Sequence, residues 1–517
     1  MPTFAAIDIG SNSVRLKIAA VQQHHLKTLH EDREVVRLGE SVFQAGVISP
    51  DAMANTIRAL KRFQKAVQLH VVDRVRVVAT SAMRDARNAA AFTAWVKSAT
   101  GWNVDVISGL EEGRLSHLGG VTHESGAKGR CLLIDLGGGS CEITLSDHAR
   151  IREMVSLPLG AVRLQQEFLH NDPPAKEEIA RLKQYIDREL RRAVRKLGAA
   201  HVSLVIATSG TAAALVEASA TAKPVAKKTT SKKSARVASE LATTEEVRRL
   251  ADRLARIDNA QRAAIPGIGP RRSEIIIGGA LVYSHLLERL DLKGFRYSAL
   301  GLRDGMLAQM LAEVDLRASV HRKIETERWA GVLEVCRRYG VDHRKAEPVR
   351  QHVAELFDSL IRVHDLPQEY KLWLEAAAMM QDVGKYMNHQ GHHRHTQYIL
   401  ANSEVFGFSP EQRVIVSAIA RYMGKSRPDA QDRVMRAIPI EEHMNIERAV
   451  VLLRLALALN QDRASAVVQM RTYAYPKRVL IELEPGRGGA ELEAWSLKKE
   501  APYFREIFHR GLVVEVA

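Results

Sequence analysis

The sequence predicts an α/β protein built from two similar lobes, followed by an all-helical domain and a small α+β domain. Three observations carry this. An apolar strand ending in Asp8-Ile9-Gly10-Ser11-Asn12-Ser13 recurs in kind as one ending in Asp135-Leu136-Gly137-Gly138-Gly139-Ser140, and each is followed by a second strand. Strands and helices alternate through residue 312. Past Leu316 the apolar residues recur mainly at helical spacing. The expected division is residues 1–125 and 126–312 for the lobes, 313–465 for the helical domain and 466–517 for the last.

Taken in order, residues 4–9 and 14–21 read as strands joined by the tight turn 10–13, the second alternating Val14, Leu16 and Ile18 against Arg15 and Lys17. Ser49-Pro50 supplies an N-cap and a first-turn proline for a helix to about Leu69. A strand at 75–80, a helix from Asn88 and a strand at 104–107 follow, the last leading through Ser108-Gly109 into another helix. The strand 204–206 runs into Ala207-Thr208-Ser209-Gly210-Thr211 and then a helical segment. Residues 221–240 hold Lys223, Lys227, Lys228, Lys232, Lys233 and Arg236 among serine, threonine and alanine, which predicts a disordered basic insertion. Helical periodicity marks 346–363, 370–380 and 410–422, and from Arg471 onward strands flank one helix.

The 517-residue chain carries 75 lysines and arginines against 60 acidic residues, so an anionic partner is favoured. Aromatic residues make up only 5% and no basic run interleaves with them, which places nucleic acid below a small polyanion. Cys131, Cys141 and Cys336 form no C-x-x-C pair, so neither zinc nor a disulfide framework is indicated and a reducing, cytoplasmic compartment is expected. No signal peptide is expected ahead of the first strand, and no membrane span, because the apolar run 449–459 is short and broken by Arg454.

Phosphate needs several donors converging at short range, and backbone N–H groups supply them where glycine and serine leave the approach open. The turns 10–13 and 137–140 have that composition, with Asp8 and Asp135 beside them where a carboxylate holds magnesium directly or through water. A single such turn is equally an ordinary hairpin, and a single aspartate there an Asx cap. Duplication favours the shared phosphate role. Ser209, Gly210 and Thr211 offer a third set of amides at a helix start, though capping alone also accounts for them. Ser108 and Glu111 have capping-box spacing, which gives Glu111 a structural task and leaves Glu112 free to face a cleft and deprotonate water. Glu142 orients that water, holds metal, or is an exposed strand glutamate. Arg84, at a strand-to-helix junction, offers a fork to phosphate oxygens, with Arg87 the weaker candidate.

Together these residues resemble the exopolyphosphatase/guanosine pentaphosphate phosphatase family of the actin-like superfamily. The resemblance runs through 6–13, 108–114, 133–143, 208–211 and Ser298-Ala299-Leu300-Gly301-Leu302-Arg303-Asp304-Gly305. It implies two actin-like (ribonuclease H-like) lobes, Glu112 as general base, Asp135 and Glu142 near metal and water, and magnesium or manganese as the ion. The implied substrate is inorganic polyphosphate or guanosine pentaphosphate. The helical region is similar to the His-Asp-type domain of the longer members, but Gln381-Asp382 stands where a metal-binding member carries His-Asp, and glutamine is a poor ligand. His352, His392, His393, His395 and Asp462 remain as possible ligands, while binding of long anions or formation of a homodimer is the preferred role. Two other readings are an actin-fold sugar kinase or ATPase using Gly278-Gly279, and a polyphosphate-binding regulator without chemistry. Gly424-Lys425-Ser426 is set aside as a P-loop because the required earlier glycine position holds Ile419.

Overall fold

A computed structural model describes residues 1–121, 129–197, 202–221, 241–461, 468–485 and 489–516, so the basic insertion lies outside the described residues apart from its first position. The chain divides into two compact units, 1–323 and 324–517.

The first unit begins with strands β1 (Thr3–Ile9), β2 (Ser13–Gln22) and β3 (His25–Val35), then helices α1 (Leu38–Ala45) and α2 (Pro50–Leu69). Next come β4 (Arg74–Ala79), α3 (Ser81–Asp85), α4 (Ala89–Thr100), β5 (Val104–Val106) and α5 (Gly109–Val121). The strands form one sheet in the order β3-β2-β1-β4-β5. β1 is central, antiparallel to β2 and parallel to β4, and a strand covered on both faces reads as a continuous apolar run. α2 starts where expected, with the Ser49 hydroxyl accepting from the Ala52 N–H, and buries Ile57, Leu60, Phe63 and Val67 at helical spacing.

The pattern then repeats. β6 (Arg130–Leu136), β7 (Cys141–Asp147), β8 (Arg150–Leu157), α6 (Ala161–Phe168), α7 (Lys176–Leu197), β9 (Leu204–Thr208), α8 (Ser209–Thr221) and β10 (Leu241–Thr243) follow. α9 (Thr244–Leu254), α10 (Asn259–Ala263), α11 (Ile276–Arg289), β11 (Gly294–Tyr297) and α12 (Leu302–Val314) complete it. The second sheet has the order β10-β11-β9-β6-β7-β8. With the edge strand β10 removed, this is the order of the first sheet, parallel and antiparallel pairings included. Thus the expected pair of similar α/β lobes is present. Each hairpin continues into a third strand that the apolar pattern does not announce, because β3 and much of β8 face solvent and carry charges.

α5 and α12 cross backbone to backbone. A Cβ on Gly119 would stand 2.2 Å from the Gly301 carbonyl oxygen, and one on Gly305 1.9 Å from that of Leu115, so only glycine permits the approach.

The second unit begins within the helix Ser319–Arg338. Helices His343–Ser359, Glu369–Met380, His392–Asn402, Pro410–Arg421 and His443–Ala458 follow, the first, second and fourth close to the spans read from periodicity. β12 (Gln469–Ala474), β13 (Arg478–Glu484) and β14 (Gly511–Val516) form a sheet with helix Glu491–Phe508 before its last strand. One buried cluster runs from Val332 through Phe357 and Leu452 to Phe504 and Val514, so strands and helices share a core. Among the described residues, no helix is long and apolar enough to cross a membrane.

Candidate active site

The two hairpins have matching geometry. In the first, Asp8 pairs with Arg15 and the Gly10 N–H donates to the Ser13 carbonyl at 3.2 Å. In the second, Asp135 pairs with Glu142 and the Gly137 N–H donates to the Ser140 carbonyl at 2.9 Å. The turns meet. A Cβ on Gly138 would lie 3.1 Å from that of Ser11, and one on Gly139 2.5 Å from the Ser81 hydroxyl and 2.7 Å from that of Ser11. Glycine here gives close approach between lobes.

A cavity of about 560 Å³ opens at this meeting point. Both turns, Asp8, Glu112, Asp135, Ser209 and Gly210 line it, whereas Arg84, Glu142 and Thr211 do not. Glu112 sits in the first turn of α5, and Arg84 reaches it from behind the wall, donating to its Oε2 at 2.9 Å and to the Ser140 hydroxyl at 3.2 Å. Burial pushes the Glu112 carboxyl up to about 7, helped by the charges of Asp135 and Asp8 and opposed by Arg84. Glu142 is 1% exposed, not an exposed strand residue. Its Oε1 accepts from the Ser156 hydroxyl at 2.8 Å. Burial, then Glu112 and Asp135, drive its carboxyl well above the usual range. Asp8 is also raised by burial, against the pull of Arg15 and Arg303. The Ser116 hydroxyl donates to Asp135 at 2.5 Å.

The expected capping box is half made. The Ser108 hydroxyl accepts from the Glu111 N–H at 3.1 Å, but the Glu111 carboxylate turns instead to Arg114, which donates two bonds of 2.8 Å. A charge-assisted fork outweighs one neutral backbone donor. Thr211, on α8, packs against α11, where a Cβ on Gly279 would come within 2.6 Å of its methyl, and neither Gly278 nor Gly279 lines the cavity. Arg87 donates to the Ala45 carbonyl away from the cavity. Ser209 opens α8 at φ 73°, a costly conformation for a residue with a side chain, and its hydroxyl donates to the Leu136 carbonyl.

Sequence reasoning missed four arginines. Arg15, Arg33, Arg272 and Arg303 line the same cavity. Burial, then repulsion from Arg15 and Arg272, push Arg33 down to about 10; burial and Arg15 do the same to Arg272. Gly210 makes room, since a Cβ there would overlap the Arg272 guanidinium at 1.7 Å. Arg15 was detectable, being to the first turn what Glu142 is to the second. Arg33 and Arg272 lie outside any motif.

Among the described residues, no three His, Cys, Asp or Glu side chains form a ready metal site. Yet Asp8 Oδ1 and Glu142 Oε2 are buried without a hydrogen-bond partner. Magnesium keeps several waters and takes only one or two carboxylates when substrate phosphates complete its shell. The residues therefore fit an ion shared with a phosphate better than a stand-alone centre. In the second unit, His352 Nδ1 accepts from Asn460 at 2.8 Å and Nε2 donates to the Val468 carbonyl at 2.8 Å, which leaves neither nitrogen for a metal. Asp382 is paired with Lys385 at 2.7 Å, and Asp462 lies outside the described residues.

Family models place this geometry. Residues 17–314 match the Ppx/GppA phosphatase family and residues 328–503 match Ppx/GppA phosphatase, domain III. Among solved structures, an exopolyphosphatase-like protein is 28% identical with a TM-score of 0.53, the match covering 59% of this chain and 96% of that one. An exopolyphosphatase from Cytophaga hutchinsonii is 25% identical with a TM-score of 0.53, over 60% of this chain and 98% of its own. The Aquifex aeolicus Ppx/GppA family member is 30% identical with a TM-score of 0.49, over 60% and 97%. With more than half its length matched by the family model, and with two facing phosphate-type turns at its centre, the chain belongs to the Ppx/GppA phosphatase family.

Proposed function

We propose that this phosphatase is an exopolyphosphatase, releasing terminal orthophosphate from inorganic polyphosphate. The observation that carries the reading is the gathering of Arg15, Arg33, Arg272 and Arg303 in the cavity that also holds the carboxylates and both amide turns. Four gathered guanidiniums, with Arg33, Arg272 and Arg303 pushed down by burial, suit a ligand with several phosphates behind the one being cleaved. The facing turns bind the terminal phosphoryl group through backbone amides. Glu112, poised near neutrality, takes the proton of the attacking water, and in-line displacement expels the shortened chain. Arg84, held between Glu112 and Ser140 behind the wall, orients the carboxylate. Asp8 and Asp135, with Glu142 behind them, would hold a magnesium ion, which would supply charge neutralisation.

Tyr297, a ring in the same wall, favours a second reading in which the arginine end holds guanosine pentaphosphate. Phosphate release from long polyphosphate and from guanosine pentaphosphate, compared on purified protein, separates the two. For the shared chemistry, Glu112→Gln is expected to abolish release while polyphosphate binding survives. Near-normal turnover in that variant removes Glu112 from the mechanism.

A further inference from the structure

We infer that Arg114 is a positioning residue: it locks the first turn of α5 to α12 and thereby sets the placement of Glu112, an inference resting on the role proposed for Glu112. Arg114 is 1% exposed although it carries a full charge. It donates to Glu111 through Nε and Nη2, each at 2.8 Å, and its Nη2 also donates to Gln309 Oε1 at 2.6 Å. Gln309 is a buried residue of α12, the helix whose first turn brings Arg303 and Asp304 into the cavity wall. One guanidinium therefore ties the start of the helix that bears Glu112 to the helix that bears the arginine end of the site.

The first turn of a helix lacks intrahelical partners for its N–H groups, and its geometry must be held from outside. Two sides of α5 are fixed by contact: a Cβ on Gly109 would overlap the Ser156 hydroxyl at 2.0 Å, and one on Gly113 would come within 2.8 Å of the Met154 sulfur. These glycines set how closely the helix lies on β7 and β8 but not how its first turn is wound. Glu111 and Glu112 leave the helix about 100° apart, so a tether on Glu111 restrains rotation of the turn that also carries Glu112. Without the Arg114 fork, the Glu111 carboxylate is released and the first turn of α5 loses its tie to Gln309 of α12.

The test uses the full chain. Removing Arg114 alone leaves the half-buried Glu111 carboxylate without its cation, so the informative variant is Glu111→Gln with Arg114→Met, which removes both charges together. For folded double variant, kcat for phosphate release from inorganic polyphosphate is expected to fall about 10–100-fold. KM is expected to stay within about threefold, and Arg114→Lys to recover part of the kcat. A crystal structure of the double variant is expected to show the Glu112 carboxylate displaced from Arg84. Unchanged kcat per folded molecule, or a loss confined to KM, overturns the inference. So does a Glu112 carboxylate still bonded to Arg84. A parent protein that releases no phosphate counts against the hydrolase reading, while the crystal structure still decides the positioning.

Discussion

The hairpins β1–β2 and β6–β7 share a register, a turn length and an aspartate at the same place, yet differ at the residue across from that aspartate. In the first it is Arg15, which lines the cavity; in the second it is Glu142, which is sealed behind it. One duplicated cradle thus yields two chemistries. The first hairpin belongs to the cationic side, with Arg33, Arg272 and Arg303 nearby, and the second to the carboxylate side with Glu112 and Asp135. The second difference is steric: positions taken by Ser11 and Asn12 in one turn are Gly138 and Gly139 in the other. The side chains of the first turn fill the space that the second leaves open.

The comparison breaks most sharply at Glu142. Replacing it by glutamine keeps its volume and the bond from Ser156 but removes the ionisable carboxyl beside Glu112 and Asp135. Initial rates on polyphosphate are expected to fall about 10²–10³-fold, the scale of losing a preorganised electrostatic group. A rate within threefold of the parent restricts Glu142 to packing. The steric half is tested by two alanines. A Cβ on Gly139 would meet Ser81, Phe43 and Ser11 at 2.5–2.7 Å, whereas one on Gly137 would find only the Ser140 carbonyl at 3.6 Å. Gly139→Ala is therefore expected to cost about 1–3 kcal/mol by denaturant unfolding and most of the activity, with Gly137→Ala much milder. Equal losses would show that the lobes do not meet as described.

Arg15→Gln sharpens the cationic half. It is expected to raise KM for long polyphosphate about tenfold with a smaller change in kcat, as for removal of a charged hydrogen bond used equally in ground and transition state. Added salt should narrow the gap between variant and parent, because salt screens the attraction that the variant has lost.

Much of this arrangement was legible in the chain. The duplicated turns were readable because glycine, serine and aspartate at a strand end report a local backbone requirement, and repetition removed the ambiguity of each alone. Helix starts at Ser49-Pro50 and Ser108 were readable for the same local reason. Arg33 and Arg272 were not, since each is one arginine among many and only the tertiary fold brings them together. Glu111 illustrates the limit within a single turn. Its spacing predicted a bond back to Ser108, but Arg114, three residues on and itself held by Gln309 from a distant helix, offered a stronger partner. β3 was missed because an edge strand that faces solvent carries charges in place of an apolar alternation.

The smallest expected effect concerns stability and bears on the carboxylate side alone. Glu112 is held at about 7 in the fold, chiefly by burial, above the ordinary 4.5 of a glutamate. A carboxyl raised on folding binds its proton more tightly in the native state, so its contribution is fully present below pH 4.5 and is lost as pH rises through about 7. Glutamine mimics the protonated form at every pH. The thermal midpoint of Glu112→Gln should accordingly exceed that of the parent by about 2–4 °C at pH 8 and match it near pH 5. Glu142 is shifted in the same direction, so Glu142→Gln should behave alike, whereas Arg15→Gln, which removes no buried carboxylate, should show no such pH-dependent gain. A Glu112→Gln midpoint that falls below the parent's at pH 8 would mean that the ion pair with Arg84 outweighs the burial of the charge.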